Sequence, residues 1–324
     1  MWEMVGHKWA VDLLKRALAN ERVAHAYLFT GPPQIGKGTL ALNFAQALNC
    51  LDEEKPCGQC LACNKIAHSN HPDVQVIEGE GRTLKIDQMR TLRREAVLSP
   101  LEGRWKVYII QRMEQATAEA ANCLLKTLEE PPSGVILVLT ASESEALLPT
   151  IVSRCQVLNL RPLATETVQR ALQERWGVDA ERARLLARLS SGRLGWAVAA
   201  SQDDAIITQR EKRLDEMVEL LGHGRVKRLE YAQQLSHNPE AAPELLHLWL
   251  SWWRDLLLKA SGSSAGVINT DRENTLREQA QRFSLGQVRN FVEALRTAVW
   301  QLEHNANTRL TLEVLMLSLP NNGL

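Results

Sequence analysis

The amino-acid sequence predicts an α/β domain built on a parallel sheet, followed by a region made only of helices. Short apolar runs alternate with helical patterns or long loops up to residue 160, as in a sheet whose parallel strands are covered on both faces. A glycine-rich loop joins the first of these runs to a helical pattern. After Pro162 no convincing strand pattern appears.

Each predicted element follows from a local pattern. Apolar residues at helical spacing predict an amphipathic helix over 7–20. A helix at about 117–129 ends before Pro131, which cannot continue it. The segment 245–260 carries three of the nine tryptophans, and we expect it to pack in a helical core rather than meet a membrane or ligand. The predicted strands are 26–30, 74–78, 106–110, 135–139 and 155–160.

Length and composition are those of a soluble protein. The 324 residues suffice for two or three domains, and hydrophobic residues make up 45%. The sequence contains no apolar run near the length of a membrane span, and its start lacks the pattern of a secretory signal, so we expect a cytoplasmic protein. Lys plus Arg and Asp plus Glu both number 38. Any contact with nucleic acid must therefore come from a local basic patch.

The glycine-rich loop has the context that a phosphate-binding loop needs. The run 26–30 leads into GPPQIGK (31–37) and then into a helical pattern. Glycines let backbone N–H groups wrap a phosphate, the helix N-terminus adds partial positive charge, and the lysine adds a point charge. The candidate nucleotide-binding residues are Gly31, Gly36, Lys37 and Thr39.

Two substitutions remove the usual ligands of a catalytic magnesium ion. Gly38 replaces the Ser or Thr whose hydroxyl binds Mg²⁺, and Thr39 is rotated by about 100° around the helix. The third predicted strand ends in Gln111 and Arg112, where a Walker B strand carries carboxylates. We therefore expect no ATP hydrolysis by this chain. For the loop itself, retention for packing is favoured over ATP binding, and the sequence leaves both open.

Four cysteines form a candidate metal site. They follow the pattern C-x6-C-x2-C-x2-C within fourteen residues, and a turn containing Pro56 and Gly58 surrounds the second one. Four thiolates suit a structural, tetrahedral Zn²⁺ site. The alternatives are an iron–sulfur cluster, free or disulfide-bonded thiols, and a substitute ligand from His68 or His71. The predicted zinc ligands are Cys50, Cys57, Cys60 and Cys63.

Several segments resemble the clamp-loader branch of the AAA+ family. They are HAYLF (25–29), PCGQCLACNKI (56–66), HPD (71–73), NCLLKTLEEPP (122–132) and SRC (153–155). The resemblance covers residues 5–200, and the last two segments together are rarely seen outside this family. A weaker similarity at 304–317 is to the end of delta-prime collar domains. The resemblance implies an AAA+ RecA-like domain with an inserted zinc knuckle (1–160), a helical lid (161–206) and an oligomerising helical collar (207–324).

Within that family the chain resembles the delta-prime branch more than the gamma/tau motors. Motors carry an intact Walker A loop, an Asp-Glu pair in Walker B and a sensor-2 arginine, and the position of that arginine aligns here with Gly195, two residues after Arg193. The resemblance implies a subunit that does not hydrolyse ATP. A gamma/tau-like ATPase is the alternative, and a zinc adaptor of DNA repair on an AAA+ scaffold is a further one.

The resemblance also assigns roles to Ser153 and Arg154. In this family the arginine of the SRC tripeptide crosses the subunit boundary and contacts the γ-phosphate of the neighbour's ATP, and such an arginine finger is worth about 10³- to 10⁵-fold in rate. An ordinary ion pair at a strand edge is the competing interpretation. The implied partners are the gamma/tau and delta clamp-loader subunits, the sliding clamp and primed DNA, with no membrane.

Basic residues are concentrated in one segment, 82–106, which begins with Arg82. Arg90, Arg93 and Arg94 fall at i, i+3 and i+4 and lie on one side of a predicted helix. This side either contacts the DNA phosphate backbone inside an assembled ring or is a solvated surface. Polymerase chemistry is not expected, because the sequence offers no pair of carboxylates for two-metal catalysis.

Overall fold

The computed structural model describes residues 2–79, 81, 83–239, 241–263, 266–303 and 306–321. The chain forms two compact units, residues 1–163 and 164–324. Arg82 and the first two residues of the segment 304–317, named above, lie outside the described residues.

The first unit contains a five-stranded sheet in the order β2-β3-β4-β1-β5, and all of its strand pairs are parallel. The predicted α/β fold class is confirmed. The fourth strand extends two residues beyond its prediction, and Cys155 and Leu160 flank the fifth strand rather than belong to it. The strands are β1 Ala26–Thr30, β2 Val74–Ile77, β3 Lys106–Ile110, β4 Val135–Ala141 and β5 Gln156–Asn159.

Helices cover both faces of this sheet. Tyr27 and Phe29 of β1 pack with Phe44 on one face, and Leu28 packs with Leu124 on the other, so the strand is buried on both sides. This explains its continuous apolar sequence. The helices of this unit are α1 Lys8–Ala19, α2 Lys37–Asn49, α3 Leu61–Ala67, α4 Ile86–Ala96, α5 Ala118–Glu129 and α6 Pro149–Val152.

The strand order places the functional loops at one edge of the sheet. Because the strands are parallel, the segments that follow β1, β3 and β4 emerge at the same carboxyl edge, with β4 between the other two. The glycine-rich loop follows β1, and Gln111 follows β3. The segment that precedes β5 lies at the opposite, amino edge.

In the second unit, the described residues form helices and one short 3₁₀ turn but no strand. Trp249, Trp252 and Trp253 have no exposed surface, and the ring of Trp253 packs edge-on against Phe291 at 4.6 Å. The predicted core position of 245–260 is therefore confirmed. The helices are α7 Thr165–Trp176, α8 Ala180–Leu189, α9 Leu194–Gln202, α10 Asp204–Leu221, α11 Arg225–Ser236, α12 Ala242–Ala260, α13 Glu273–Arg282, α14 Leu285–Glu303 and α15 Thr308–Ser318.

Candidate functional site

The glycine-rich loop joins β1 to α2 through backbone conformations that favour glycine. Gly31 has φ 142° and Gly36 has φ 109°. A Cβ atom at Gly31 would lie 2.3 Å from the carbonyl oxygen of Leu160, so the loop passes too close to its neighbour for any side chain there. Strand, loop and helix follow one another as predicted.

Lys37 turns its ammonium group toward the backbone of the loop. Its Nζ donates to the carbonyl oxygen of Gly31 and, at 3.1 Å, to that of Pro32. Burial lowers the pKa of Lys37 to about 8, although the carboxylate of Glu114 opposes this shift. The lysine that would meet a phosphate therefore binds loop carbonyls that a nucleotide would have to replace.

Glu114 is a half-buried acid near this loop and was not among the predicted site residues. Burial raises the pKa of its carboxyl, while the charge of Lys37 acts in the opposite direction. Its Oε2 atom has no hydrogen-bond partner among the described residues. A carboxylate four residues after the end of a buried strand was the available sequence signal.

Gly38 and Gln111, which replace the usual magnesium ligands, face each other. A Cβ atom at Gly38 would lie 3.9 Å from Nε2 of Gln111. The structure thus brings an amide and a glycine together at this point of the carboxyl edge, and an amide cannot replace a carboxylate as an anionic ligand. Thr39 is exposed on the first turn of α2, and the exposed Arg112 donates its backbone N–H to Oγ1 of Thr140 at 3.0 Å.

The N-terminal segment lies along the same loop. A Cβ atom at Gly36 would lie 2.8 Å from the methyl carbon of Met4. The backbone N–H of Glu3 donates to Oδ1 of Asn43 on α2 at 2.8 Å. Met4 therefore covers part of the glycine loop, a contact that no sequence pattern indicated.

Arg154 lies two residues after the end of the short helix α6, and its two shortest side-chain hydrogen bonds are to Thr150 and Glu129. Its Nη1 donates to the carbonyl oxygen of Thr150 at 2.9 Å, and its Nη2 donates to Oε1 of Glu129 at 2.8 Å. Its side chain is 34% exposed. Ser153 directly follows α6 and donates its hydroxyl to the carbonyl oxygen of Thr150 at 3.2 Å. Glu129 was not among the predicted site residues, although it belongs to the quoted segment NCLLKTLEEPP.

The sheet register separates Arg154 from the glycine loop of its own chain. Gln156 pairs with Tyr27, so Arg154 lies two residues before the start of β5 and level with the start of β1. Gly31 follows the end of β1. At about 3.3 Å per residue, the two lie roughly 15–20 Å apart along the strands. The guanidinium and the loop therefore lie at opposite edges of one sheet.

The four predicted cysteines come together, as the sequence indicated. Their sulfur atoms all lie within 4.8 Å of one another. The Cys50–Cys60 and Cys57–Cys63 sulfur pairs are each 4.0 Å apart. These distances exclude disulfide bonds and are close to the roughly 3.8 Å edge of a tetrahedron of sulfurs around a zinc ion with 2.3 Å bonds.

Backbone N–H groups point at several of these sulfurs. The N–H groups of Cys57 and Cys60 donate to Cys50 and Cys57 respectively, both at 3.3 Å. Cys60 precedes α3 and accepts from the N–H of Cys63 at 3.5 Å, and Gly58 has the positive φ of 76° that the predicted turn requires. Burial opposes ionisation of Cys60, but hydrogen bonds from the backbone lower its pKa to about 6. Such donors favour the thiolate form that binds metals.

The side chains of the HPD segment accept hydrogen bonds from backbone N–H groups. Nδ1 of His71 accepts the N–H of Asp73 at 3.1 Å. The carboxylate of Asp73 accepts three N–H groups, from Leu101, Glu102 and Gly103, each at 2.8 Å. Although burial alone would raise the pKa of Asp73, these hydrogen bonds lower it. The motif thus fixes the chain that enters β3.

The remaining basic candidates are divided between the two units. Arg90, Arg93 and Arg94 are exposed on α4, and Arg90 pairs with Asp87 at 3.0 Å. In the second unit Arg193 precedes α9 and donates its Nε to the carbonyl oxygen of Ser190 at 3.0 Å. Burial lowers the pKa of Arg193. Gly195 lies exposed in the first turn of α9.

The sheet order, the glycine loop with its lysine and the four-cysteine module define a P-loop protein of the AAA+ clamp-loader class. Residues 6–164 match the family described as DNA polymerase III, delta subunit, and residues 205–320 match its C-terminal domain. The DNA polymerase III subunit delta' of Bacillus subtilis is 32% identical over 95% of this chain and 94% of its own length. The chain belongs to the delta-prime family of DNA polymerase III subunits.

Other relatives include gamma and tau subunits of DNA polymerase III. The tau subunit of Bacillus subtilis is 26% identical over 98% of this chain, which spans 61% of that protein. The solved RuvB Holliday junction branch migration motor of Thermotoga maritima is 17% identical, with a TM-score of 0.44 and 61% of each chain covered. A gamma subunit-related protein from the same organism is 19% identical, with a TM-score of 0.41 over 95% of this chain and 97% of its own. Among the described residues, no helix is long and apolar enough to cross a bilayer.

Proposed function

We propose that this chain is the non-hydrolysing delta-prime subunit of a clamp loader and that it donates Arg154 to ATP bound by a neighbouring subunit. The observation that carries the proposal is the location of Arg154 at the amino edge of the sheet, while its own glycine loop lies at the carboxyl edge. A guanidinium that far from its own loop can reach a γ-phosphate only in another chain. Its charge then stabilises the transition state of a site that it does not itself bind.

The proposed assembly follows from the relatives. Gamma and tau subunits of DNA polymerase III are among the similar proteins, and we propose gamma/tau and delta subunits as partners, with the sliding clamp and primed DNA as targets in the cytoplasm. We propose that α7–α9 form a lid, and that α10–α15 form a collar. Exposed Leu310, Val314 and Leu317 follow one side of α15, which supports an interface in the collar.

The proposal that this chain does not hydrolyse ATP is supported by the facing pair of Gly38 and Gln111. Neither offers the anionic or hydroxyl oxygen that would hold Mg²⁺ there. Hydrogen bonds from Lys37 to its own loop support the interpretation that the loop is retained for packing. We propose that Gly31, Gly36, Lys37 and Thr39 do not carry a catalytic nucleotide.

The test is ATP turnover by a reconstituted clamp loader with clamp and primed DNA. Intact chain is compared with Arg154→Ala, and the chain alone serves as the blank. We expect no ATP turnover by the chain alone. In the assembled loader, Arg154→Ala should lower turnover by a factor that approaches the 10³- to 10⁵-fold effect of an arginine finger. The loss is smaller if other subunits contribute arginine fingers to other ATP sites. An unchanged rate with Arg154→Ala would reject the donated arginine.

A gamma/tau-like ATPase remains the second candidate, because the glycine loop keeps the backbone conformation of a phosphate cradle. The same assay separates the two functions. Turnover by the chain alone that depends on Mg²⁺ and disappears in Lys37→Ala would establish the ATPase. We expect neither.

We further propose that Cys50, Cys57, Cys60 and Cys63 hold one structural zinc ion. Sulfurs within 4.8 Å of one another leave room for one ion rather than for a cluster of several irons. All four ligands would come from protein, so the ion would supply folding energy and no chemistry. We expect one zinc per purified chain by elemental analysis. Chelation or Cys63→Ser should lower the melting temperature, whereas Cys123→Ser, outside the cluster, should retain the metal.

Contact between DNA and the exposed arginines of α4 is a separate proposal. Arg93 and Arg94 are exposed and could each meet a phosphate. Replacing both with alanine should lower the apparent affinity of the assembled loader for primed DNA and reduce its salt dependence. An unchanged salt dependence would identify this side of α4 as a solvated surface.

A further inference from the structure

An ion pair joins the segments NCLLKTLEEPP and SRC, which also pack in the same core cluster. Nη2 of Arg154 donates to Oε1 of Glu129 at 2.8 Å. We infer that Glu129 is a positioning residue, which holds the guanidinium of Arg154 in the orientation that a neighbouring subunit's γ-phosphate requires. This inference rests on the proposed arginine donation and adds a second residue to it.

Glu129 has a fixed position because it is the last residue of α5. The helix begins at a cap in which Thr117 accepts the N–H of Ala120 at 3.1 Å, and it ends before Pro131. The inner side of α5 is anchored by Leu128, which is buried in the same core cluster as Ile151 of α6. The packing of α5 against α6 therefore sets the distance between the carboxylate and the residue that follows α6.

The contacts of Arg154 leave part of its guanidinium available. A guanidinium carries five N–H donors. Within the described structure Nη1 contacts the carbonyl oxygen of Thr150 at 2.9 Å and Oγ of Ser153 at 3.5 Å, and Nη2 contacts Glu129 at 2.8 Å. Three donors are engaged on the chain's own side. Nε–H and one N–H of Nη2 remain for an oxyanion outside the chain.

An ion pair of this kind contributes little to folding but can contribute to a rate. The Arg154 side chain is 34% exposed and that of Glu129 is 50% exposed, so solvent screens the pair. An unrestrained arginine, in contrast, must give up its rotamer entropy when it binds. That entropy is worth about 2 kcal/mol, which corresponds to a factor of up to about 30 in a binding or rate constant. Glu129 and Thr150 fix the guanidinium before the neighbour's ATP arrives.

The experiment measures ATP turnover by the fully assembled clamp loader with clamp and primed DNA. We expect Glu129→Ala to lower kcat by roughly 5- to 30-fold with little change in KM for ATP. KM should hold because the neighbouring subunit binds ATP with its own residues. Glu129→Gln keeps an oxygen that accepts from Nη2, and we expect it to restore kcat to within about threefold of the intact chain.

Glu130→Ala is the matched control, since it removes the adjacent exposed carboxylate, which does not contact Arg154 in the described structure. We expect Glu130→Ala to leave kcat unchanged. The melting temperature of Glu129→Ala should lie within about 2–4 °C of the intact chain, as for a surface ion pair.

Three results would overturn the inference. They are an unchanged kcat in Glu129→Ala, an increased kcat, which would make Glu129 a competitor of the phosphate, and an equal loss in Glu130→Ala. Arg154→Ala separates these results from failure of the proposed function. If Arg154→Ala lowers kcat and Glu129→Ala does not, only the positioning role fails. If neither variant lowers kcat, the arginine donation fails as well.

Discussion

The glycine loop and the turn at Arg154 each place a cation at one edge of the same sheet, but the two cations differ in exposure and in the groups that they contact. Lys37 is half-buried and donates to carbonyl oxygens of its own loop. Arg154 is 34% exposed and is held by a carboxylate that leaves some of its donors open. The first arrangement suits an inward, structural role, and the second suits contact with another molecule. This difference is what the proposed function requires, namely a chain that does not hydrolyse ATP itself and donates an arginine to the site of another subunit.

The glycine loop is also part of the core of its unit. Ile35 within the loop is 2% exposed, and Phe44 on the following helix is fully buried. Gly31 touches the backbone after β5. Loss of the loop would therefore expose apolar surface whether or not a nucleotide ever bound. Core residues also flank Arg154, but its own guanidinium makes polar contacts with Thr150 and Glu129, so apolar packing does not explain why an arginine stands there.

The largest expected effect separates the two cations directly. In the assembled loader, Arg154→Lys keeps the positive charge but loses the planar fork, and we expect it to remain roughly 10²-fold slower than the intact chain. Lys37→Ala should leave turnover of the same assembly within about twofold. The measurement is the rate of ATP hydrolysis by loaders assembled with each variant. Equal losses would mean that the loop of this chain takes part in the reaction.

A second prediction concerns the structural role of the loop. Gly31→Ala should destabilise the chain by about 2–4 kcal/mol, because φ is 142° and the added carbon would lie 2.3 Å from the carbonyl oxygen of Leu160. Urea unfolding of the isolated chain measures this difference. A neutral substitution would contradict the close approach and weaken the argument that packing retains the loop.

A third prediction uses the titration of Lys37. Its pKa is about 8 in the folded chain and about 10.4 in an unfolded chain. Between these values the unfolded chain keeps a proton that the folded chain has lost, so the free energy of unfolding rises with pH. Relative to Lys37→Met, we expect the intact chain to gain roughly 1–3 kcal/mol from about pH 8 to pH 10. An equal pH dependence of the intact chain and Lys37→Met would contradict this prediction.

The smallest effect is expected at Gly38. This glycine lies in the first turn of α2, and among the described residues an added Cβ would meet only Nε2 of Gln111, at an ordinary 3.9 Å. Gly38→Ala should therefore stabilise the chain by about 0.3–1 kcal/mol. Urea unfolding of Gly38→Ala and Gly31→Ala measures both changes in the free energy of unfolding, and so compares a glycine without close neighbours with one that the backbone constrains. Destabilisation by Gly38→Ala would indicate a contact that requires glycine at that position.

Local patterns were sufficient to predict most of the fold. Short apolar runs identified the five strands, because a parallel strand buried on both faces is apolar throughout. The helix ending at Pro131 and the tryptophan-rich helix core were also predictable, since proline chemistry and periodicity act within a few residues. The four cysteines were recognised because their spacing alone restricts them to one small region. Strand ends shifted by one or two residues, because hydrogen bonds to neighbouring strands determine where a strand stops.

What the sequence by itself determined about this protein is therefore the class of each element and the loss of two magnesium ligands. Only the tertiary structure decided which residues meet. Glu129 and Arg154 are 25 residues apart, and packing of α5 on α6 brings them together. Met4 meets Gly36, and Asp73 fixes residues 101–103, for the same reason. Side-chain contacts between distant segments depend on how buried surfaces fit in three dimensions, and a one-dimensional pattern contains no record of that fit.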